Sequence, residues 1–534
     1  MLHKSAVILA FLLLWTSISA STSEELYFRF VIKERKEISQ VTKLVSIEDV
    51  HQDSVYAIGT QAQVERLQAL GYKVELLTHP SLLAEPPKMS SNSRDIQAWD
   101  TYPTYSAYVQ MMNDFQTNYP SICRTISAGT SVQGRQLLFV KISDNVDSQE
   151  AEPEVMYTST MHGDETTGYI LMLRMIDSIL TTYSTDAAIT DMVNNMEIWI
   201  NPLANPDGTY RTGDNSVGGA TRGNANLVDL NRNFPDPQDG DHPDGHVWQP
   251  ETIAMMNVAS QQSWIISANF HGGAEVVNYP WDTWVTRHAD DAWYIDASRQ
   301  YAESCQAHAP VGYMNDLNDG ITHGFDWYEV NGGRQDYMNY WRGCREVTIE
   351  LSNVKLLSAG QLPAHWNYNR ISLFDWFRQA SYGIRGVVTD SVTGAPLQAT
   401  ISVVGHDADS SEVYTAPDVG DYYRMIEAGT YTLRFIAPGY FPKDVAGISV
   451  YADSSVTVNV QMSEGWICGD IDNNGQFQAI LELTYLVDRI FRGGPPPPNL
   501  PAADVNGDGV VANILDLTYM VDYIFRGGPD PNCL

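Results

Sequence analysis

His162 and Glu165 lie three residues apart in "TSTMHGDETTGYILMLRMIDSIL", between a strand-like lead-in (Val155 to Tyr157) and a long apolar helical pattern. At that spacing, a turn or a first helical turn points both side chains the same way. A catalytic zinc takes three protein ligands and keeps one position open, and two histidines with one glutamate are a recurrent set. His271, directly after an apolar run in "ANFHGGAEVVNYPWD", offers the third ligand. Taken singly, each residue has a plain alternative as a turn, a helix cap or a hydrogen-bonded structural histidine. Glu350 in "REVTIELS" alone reads as an edge carboxylate on a strand. Arg222 and Arg232 alone read as surface charges, and Tyr328 as a core aromatic. Neither a cysteine-rich nor an HExxH zinc signature occurs.

The elements that must position these residues follow from composition and periodicity. The chain has 534 residues, which predicts about three to five domains. Hydrophobic residues make up 43% and charged residues 18%, a globular composition. A formal net charge of -33 argues against nucleic acid or an anionic membrane as partner, since phosphates would be repelled. Residues 1–20 read as a signal peptide: Lys4, the apolar stretch Ala6 to Trp15, then small residues to Ala20. The mature chain is therefore expected to be secreted, extracellular or periplasmic, with no membrane span. Residues 21–96 hold a small α/β unit and a polar linker, "EPPKMSSNSRD". Across 97–382, apolar runs joined by helices predict an α/β fold with a mixed, mostly parallel sheet flanked by helices. Residues 383–463 show short, turn-punctuated strands, the pattern of a β-sandwich. In 464–534, "LTYLVDRIFRGGPPPPN" returns as "LTYMVDYIFRGGPDPNC" after 34 residues, a paired helical module. Of five cysteines, Cys468 and Cys533 bracket that module and could clasp its ends.

Read in order, these stretches resemble the zinc metallocarboxypeptidases, in the branch of carboxypeptidases E, N, M and D. The similarity runs from about Tyr102 to Tyr382. "HGDE" resembles the first two zinc ligands and "ANFHGG" the third. "TRGNANLVDLNRNFPD" resembles the substrate-binding stretch, "WYEVNGGRQDY" the mobile tyrosine segment and "REVTIELS" the strand of the catalytic glutamate. The resemblance implies that His162, Glu165 and His271 bind one Zn2+ and that Glu350 is the general base. It implies that Arg222 stabilises the oxyanion, that Asn231 and Arg232 grip the terminal carboxylate, and that Tyr328 closes over the substrate. Asp282 and Gln335 stand where that branch lines the pocket for the C-terminal side chain. An acid there favours Arg or Lys, because a cation relieves a buried carboxylate. Arg334 is expected to be turned away from the pocket by strand alternation.

Residues 383–463 resemble the transthyretin-like domain of the same branch, and residues 21–96 stand where many relatives hold a propeptide. The C-terminal pair resembles dockerin type I repeats, which hold Ca2+ and bind a cohesin on a scaffold. Asp470, Asp472 and Asn474, and likewise Asp504, Asn506 and Asp508, supply oxygens at loop positions 1, 3 and 5. The closing acids, Glu482 and Asp516, fall at position 13, where the family has position 12. The expected function is removal of C-terminal Arg or Lys from peptides or proteins. Alternatives are a peptidase of the same fold acting on cell-wall peptides, and a scaffold-bound peptide-binding protein.

Overall fold

The apolar runs between residues 97 and 382 assemble into one eight-stranded mixed sheet. The structure is a computed structural model that describes residues 25–83 and 85–533; the expected signal peptide lies outside them. Across the sheet the strands run Ile321–His323, Glu275–Tyr279, Arg345–Leu351, Trp264–His271, Glu154–Ser159, Glu197–Asn201, Gln136–Ile142 and Cys123–Thr130. The central strands pair in parallel, and antiparallel pairs lie toward both edges. Strands covered on both faces have no solvent side, so every residue of "EVMYTS" is buried, and in "WIISANFH" even the alternating polar residues Ser267, Asn269 and His271 are buried. The helices Tyr105–Asn118, Thr167–Thr182, Asp291–His308 and Leu362–Arg378 cover the sheet and share one apolar core with it.

The N-terminal unit is a four-stranded antiparallel sheet with the helix Gln61–Ala69. Its edge strand Ser46–His51 lies against the main domain; the sequence reading had not singled this strand out. The linker is not free chain: Met89–Ser90 pairs in parallel with Tyr102–Pro103.

Residues 383–463 form two packed sheets around Ile384, Val388, Ile401, Leu433 and Phe435. This sandwich is bound to the main domain by a buried ionic knot. Asp290 receives Arg345 Nη2 at 2.7 Å, and from the sandwich Arg424 Nη1 and Nη2 and His406 Nε2, each at 2.8 Å. Behind it, the helices Ala479–Phe491 and Ile514–Arg526 pack around Ile471, Leu486, Val505 and Met520. Cys468 and Cys533 form a disulfide across the ends of this module. Among the described residues, no helix is long and apolar enough to cross a membrane.

Candidate metal and substrate site

Three segments meet where the central strands end. His271 is the last residue of its strand and lies in parallel register with Glu350 on the neighbouring strand. His162 and Glu165 occupy the turn between the strand Glu154–Ser159 and the helix Thr167–Thr182, closed by a bond from Glu165 N to His162 O at 3.1 Å. Gly163 is obligatory in that turn, because a Cβ there would lie 2.4 Å from the Gly208 backbone.

The donor atoms converge. Glu165 Oε2 lies 3.0 Å from His162 Nδ1 and 2.8 Å from His271 Nδ1, and the two Nδ1 atoms are 3.0 Å apart. His162 Nε2 lies 2.9 Å from Asp229 Oδ1, which orients the ring with Nδ1 toward Glu165 and His271. Two ring nitrogens and a carboxylate oxygen, all on buried side chains, thus aim at one point. This donor set, two nitrogens and one oxygen on buried side chains, fits zinc. Against the penalty of burial, His162 and Lys355 hold the Glu165 carboxyl well below its usual range, so it stays an anionic ligand.

One cavity is lined by these three residues together with Glu350, Arg222, Asn231, Arg232, Asp282 and Tyr328. Glu350 Oε2 is shielded and has no hydrogen-bond partner. Shielding from solvent, and next the charge of Glu165, push its carboxyl well above the carboxylate range. Arg222 is fixed from three sides: Nε to Asp229 Oδ2 at 2.9 Å, Nη1 to Glu48 Oε1 at 3.0 Å and Nη1 to Glu165 Oε1 at 3.2 Å. Arg232 donates to Asn231 O and Ile47 O, while its Nε is buried without a partner. Asn231 Oδ1 accepts from Arg334 N at 3.0 Å.

Asp282 is buried, and burial pushes its carboxyl up to about 6, although Asn278 Nδ2 donates to it at 2.9 Å and Arg232 is near. Gly324 makes the room: a Cβ there would lie 1.8 Å from Asp282 Oδ1. Tyr328 packs against the core of the N-terminal unit.

One expectation is revised in its placement, Gln335, and one in its reason alone, Arg334. Gln335 does not line this cavity; it is buried on the first turn of the helix Arg334–Arg342, both amide atoms without partners. Arg334 opens that helix, so strand alternation does not apply to it. It is turned from Asp282 by a buried ion pair, Nε to Glu346 Oε1 at 2.9 Å, and by a bond to Thr158.

Several groups were missed in the sequence. Asp229 orients both His162 and Arg222, and stands two residues before Asn231 in the substrate-binding stretch. Asp164, Glu48 and Glu165 hold Lys355 protonated well above its usual range, despite burial. Glu48 and Ile47 come from the N-terminal unit, on a strand whose apolar residues Ile47 and Val50 stand three apart across a register shift, so no period-two pattern marked it.

Residues 108–372 match the family described as zinc carboxypeptidase, and residues 383–463 match the carboxypeptidase regulatory-like domain. Carboxypeptidase D of Anas platyrhynchos is 37% identical over 408 residues, covering 72% of this chain and 28% of the relative. Carboxypeptidase M of Mus musculus is 34% identical over 351 residues, covering 60% of this chain and 75% of the relative. The human carboxypeptidase N catalytic chain is 34% identical over 382 residues, covering 64% and 81%. The chain thus spans less than a third of the length of its carboxypeptidase D relatives. In fold it is similar to the carboxypeptidase A of Helicoverpa armigera, with a TM-score of 0.51 at 18% identity, covering 67% of this chain and 98% of that one.

Proposed function

The chain belongs to the zinc carboxypeptidase family, and on that premise we propose that it releases C-terminal Arg or Lys from peptides or proteins. The observation that carries this reading is one cavity holding the three converging donors, Glu350, two arginines and Asp282. What zinc supplies when held by His162, Glu165 and His271 is Lewis acidity toward the scissile carbonyl and the attacking water. Glu350 takes the proton of that water and passes it to the leaving amine; its shielded, raised carboxyl suits a group that must both accept and return a proton. Arg222 holds the negative charge that develops on the carbonyl oxygen. Arg232, with Asn231, binds the terminal carboxylate, which restricts cleavage to chain ends. Asp282, which lines the same cavity, takes the cationic side chain.

The N-terminal unit reads as a propeptide that keeps this site latent. Glu48 occupies Arg222 and Lys355, and Ile47 O occupies Arg232. The same two arginines cannot then hold substrate. The test is a panel of blocked dipeptides differing only in the last residue, run before and after limited trypsin treatment, with and without a zinc chelator. Cleavage after treatment, confined to Arg and Lys and abolished by chelation, is the expected result. Cleavage that survives chelation, or that ignores the last residue, refutes the reading.

The leader pattern and the Cys468–Cys533 disulfide support secretion into an oxidising compartment. The C-terminal module reads as a dockerin-like calcium module for a cohesin-like scaffold partner. Carboxylate oxygens of Asp470, Asp472 and Glu482 lie within 4.8 Å of one another, and Glu482 Oε1 and Asp516 Oδ1 are buried without partners, which calcium would satisfy. A calcium-dependent rise in its unfolding temperature is the measurement that checks this.

A further inference from the structure

Beside Arg222 and Arg232, the cavity holds a third buried cation. Lys355, five residues after Glu350, is 8% exposed. Its Nζ lies 3.0 Å from Glu165 Oε1 and 3.6 Å from Asp164 Oδ2. Arg222 Nη1 lies 3.2 Å from the same Glu165 oxygen. Both cations also hold one oxygen of Glu48: Arg222 Nη1 at 3.0 Å, and Lys355 Nζ in a shorter ion pair. Glu48 Oε1 therefore marks a place where a single anionic oxygen is held by two cationic donors, in the cavity that His162, His271 and Glu350 also line.

We propose that Lys355 is a second oxyanion-stabilising residue, joining Arg222 on the scissile carbonyl oxygen once Glu48 has left; this rests on the carboxypeptidase reading. As water adds to the carbonyl carbon and loses a proton to Glu350, the C=O π pair moves onto oxygen, between Arg222 and Lys355. When that pair reforms the double bond, the C–N bond breaks and its electrons take the proton back from Glu350. No net charge is left on the site.

The plain alternative makes Lys355 only a counter-charge for the buried Glu165 and Asp164. Such a role needs no approach to the cleft. Lys355 instead lines the cavity that holds Glu350 and the metal-site residues, and its Nζ shares the Glu48 oxygen with Arg222 there. Its backbone is pinned as well: Thr166 N donates to Lys355 O at 3.0 Å, tying it to the start of the helix that follows the metal-ligand turn. A donor fixed this way loses little on reorganisation when charge develops, which is what makes oxyanion donors effective.

The test compares wild type, Lys355→Met and Lys355→Arg as full-length protein after the same limited trypsin treatment. The readouts are zinc per chain, kcat and KM on an Arg-terminated dipeptide, and inhibition by a phosphonate analogue of that dipeptide. Removing one oxyanion donor costs about 100- to 1,000-fold in kcat. The expectation for Lys355→Met is a loss of that size in kcat, an unchanged KM and full zinc, with phosphonate affinity falling by the same factor. Lys355→Arg should recover most of the loss. Lost zinc in Lys355→Met, wild-type turnover, or an effect on KM alone would overturn the assignment. If wild type cuts and Lys355→Met cuts equally fast, only Lys355 falls; if wild type cuts nothing in either state, the carboxypeptidase reading falls with it.

Discussion

The substrate assignment makes its sharpest prediction in the pH dependence of selectivity. Burial raises the Asp282 carboxyl to about 6, outweighing the hydrogen bond from Asn278 and the charge of Arg232. Asp236 and Glu346 add to the rise, and Asp336 lies behind it, accepting from Asp282 N at 3.0 Å. The charged form is the disfavoured one, so the pocket is anionic above this value and loses its charge as pH falls through it. With a value of about 6, Asp282 is ionised in about 90% of molecules at pH 7 and about 9% at pH 5. Only the ionised pocket rewards a cationic side chain. The ratio of kcat/KM for an Arg-terminated over a Leu-terminated dipeptide should therefore fall about tenfold between pH 7 and pH 5. Taking the ratio removes everything the two substrates share, including the protonation of Glu350 and of the metal ligands. In Asp282→Asn the ratio should be low and flat across the same range. A wild-type ratio that stays constant from pH 5 to pH 8, or an Asp282→Asn protein that keeps the Arg preference, would refute the reasoning.

Glu350→Gln should keep zinc and fold while kcat drops by about 100- to 10,000-fold, whereas His271→Ala should lose the zinc itself; metal analysis beside turnover separates the two. Glu48→Ala removes one partner from a buried ion network, a change worth about 3–5 kcal/mol. The basal activity of full-length protein should therefore rise about a hundredfold or more toward that of trypsin-treated protein, and an unchanged ratio would sink the latent reading. Asp290→Ala strips a buried carboxylate from Arg345, Arg424 and His406. It should cost about 3–5 kcal/mol, read as a lowered Tm. Despite burial, Arg424 and Arg345 hold Asp290 well below the usual carboxylate range. Its contribution is therefore complete above the unfolded value of about 4 and is lost as pH falls toward the depressed folded value; a Tm difference that grows on acidification below pH 4 would contradict this.

The main sheet was legible because its central strands are short β-prone segments bounded by turns and helices; that both faces are covered was not, since Ser267, Asn269, Glu346 and Thr348 alternate with apolar neighbours and yet are buried. The metal turn was legible because His162 and Glu165 are local to one another. Failures came where polar residues face inward. The helix Arg334–Arg342 buries Arg334, Gln335 and Asp336 beside Tyr337 and Met338 and exposes Trp341, so no clean apolar stripe announces it, and strand alternation was the wrong ground for the orientation of Arg334. The strand Ser46–His51 turns Glu48 into a cleft, where ordinary alternation would have assigned it to solvent. Lys355 is informative only once Glu165 lies beside it, a contact across 190 residues that no local pattern carries.

The charge distribution ties these parts together. A net charge of -33 draws cationic chain ends toward the protein, but the same field repels the terminal carboxylate that an exopeptidase has to hold. The carboxylate can be bound only where cations are concentrated and shielded from that field, and Arg222, Arg232 and Lys355 are buried around one cavity. Such a cavity is also the strongest acceptor for any acidic side chain within reach. Glu48 reaches it as part of the same chain, so it competes at a high effective concentration that no free peptide matches. If the site is latent, no dedicated inhibitory surface is required: an acidic strand tethered above a cationic cleft would suffice, and cutting the tether would let substrate compete.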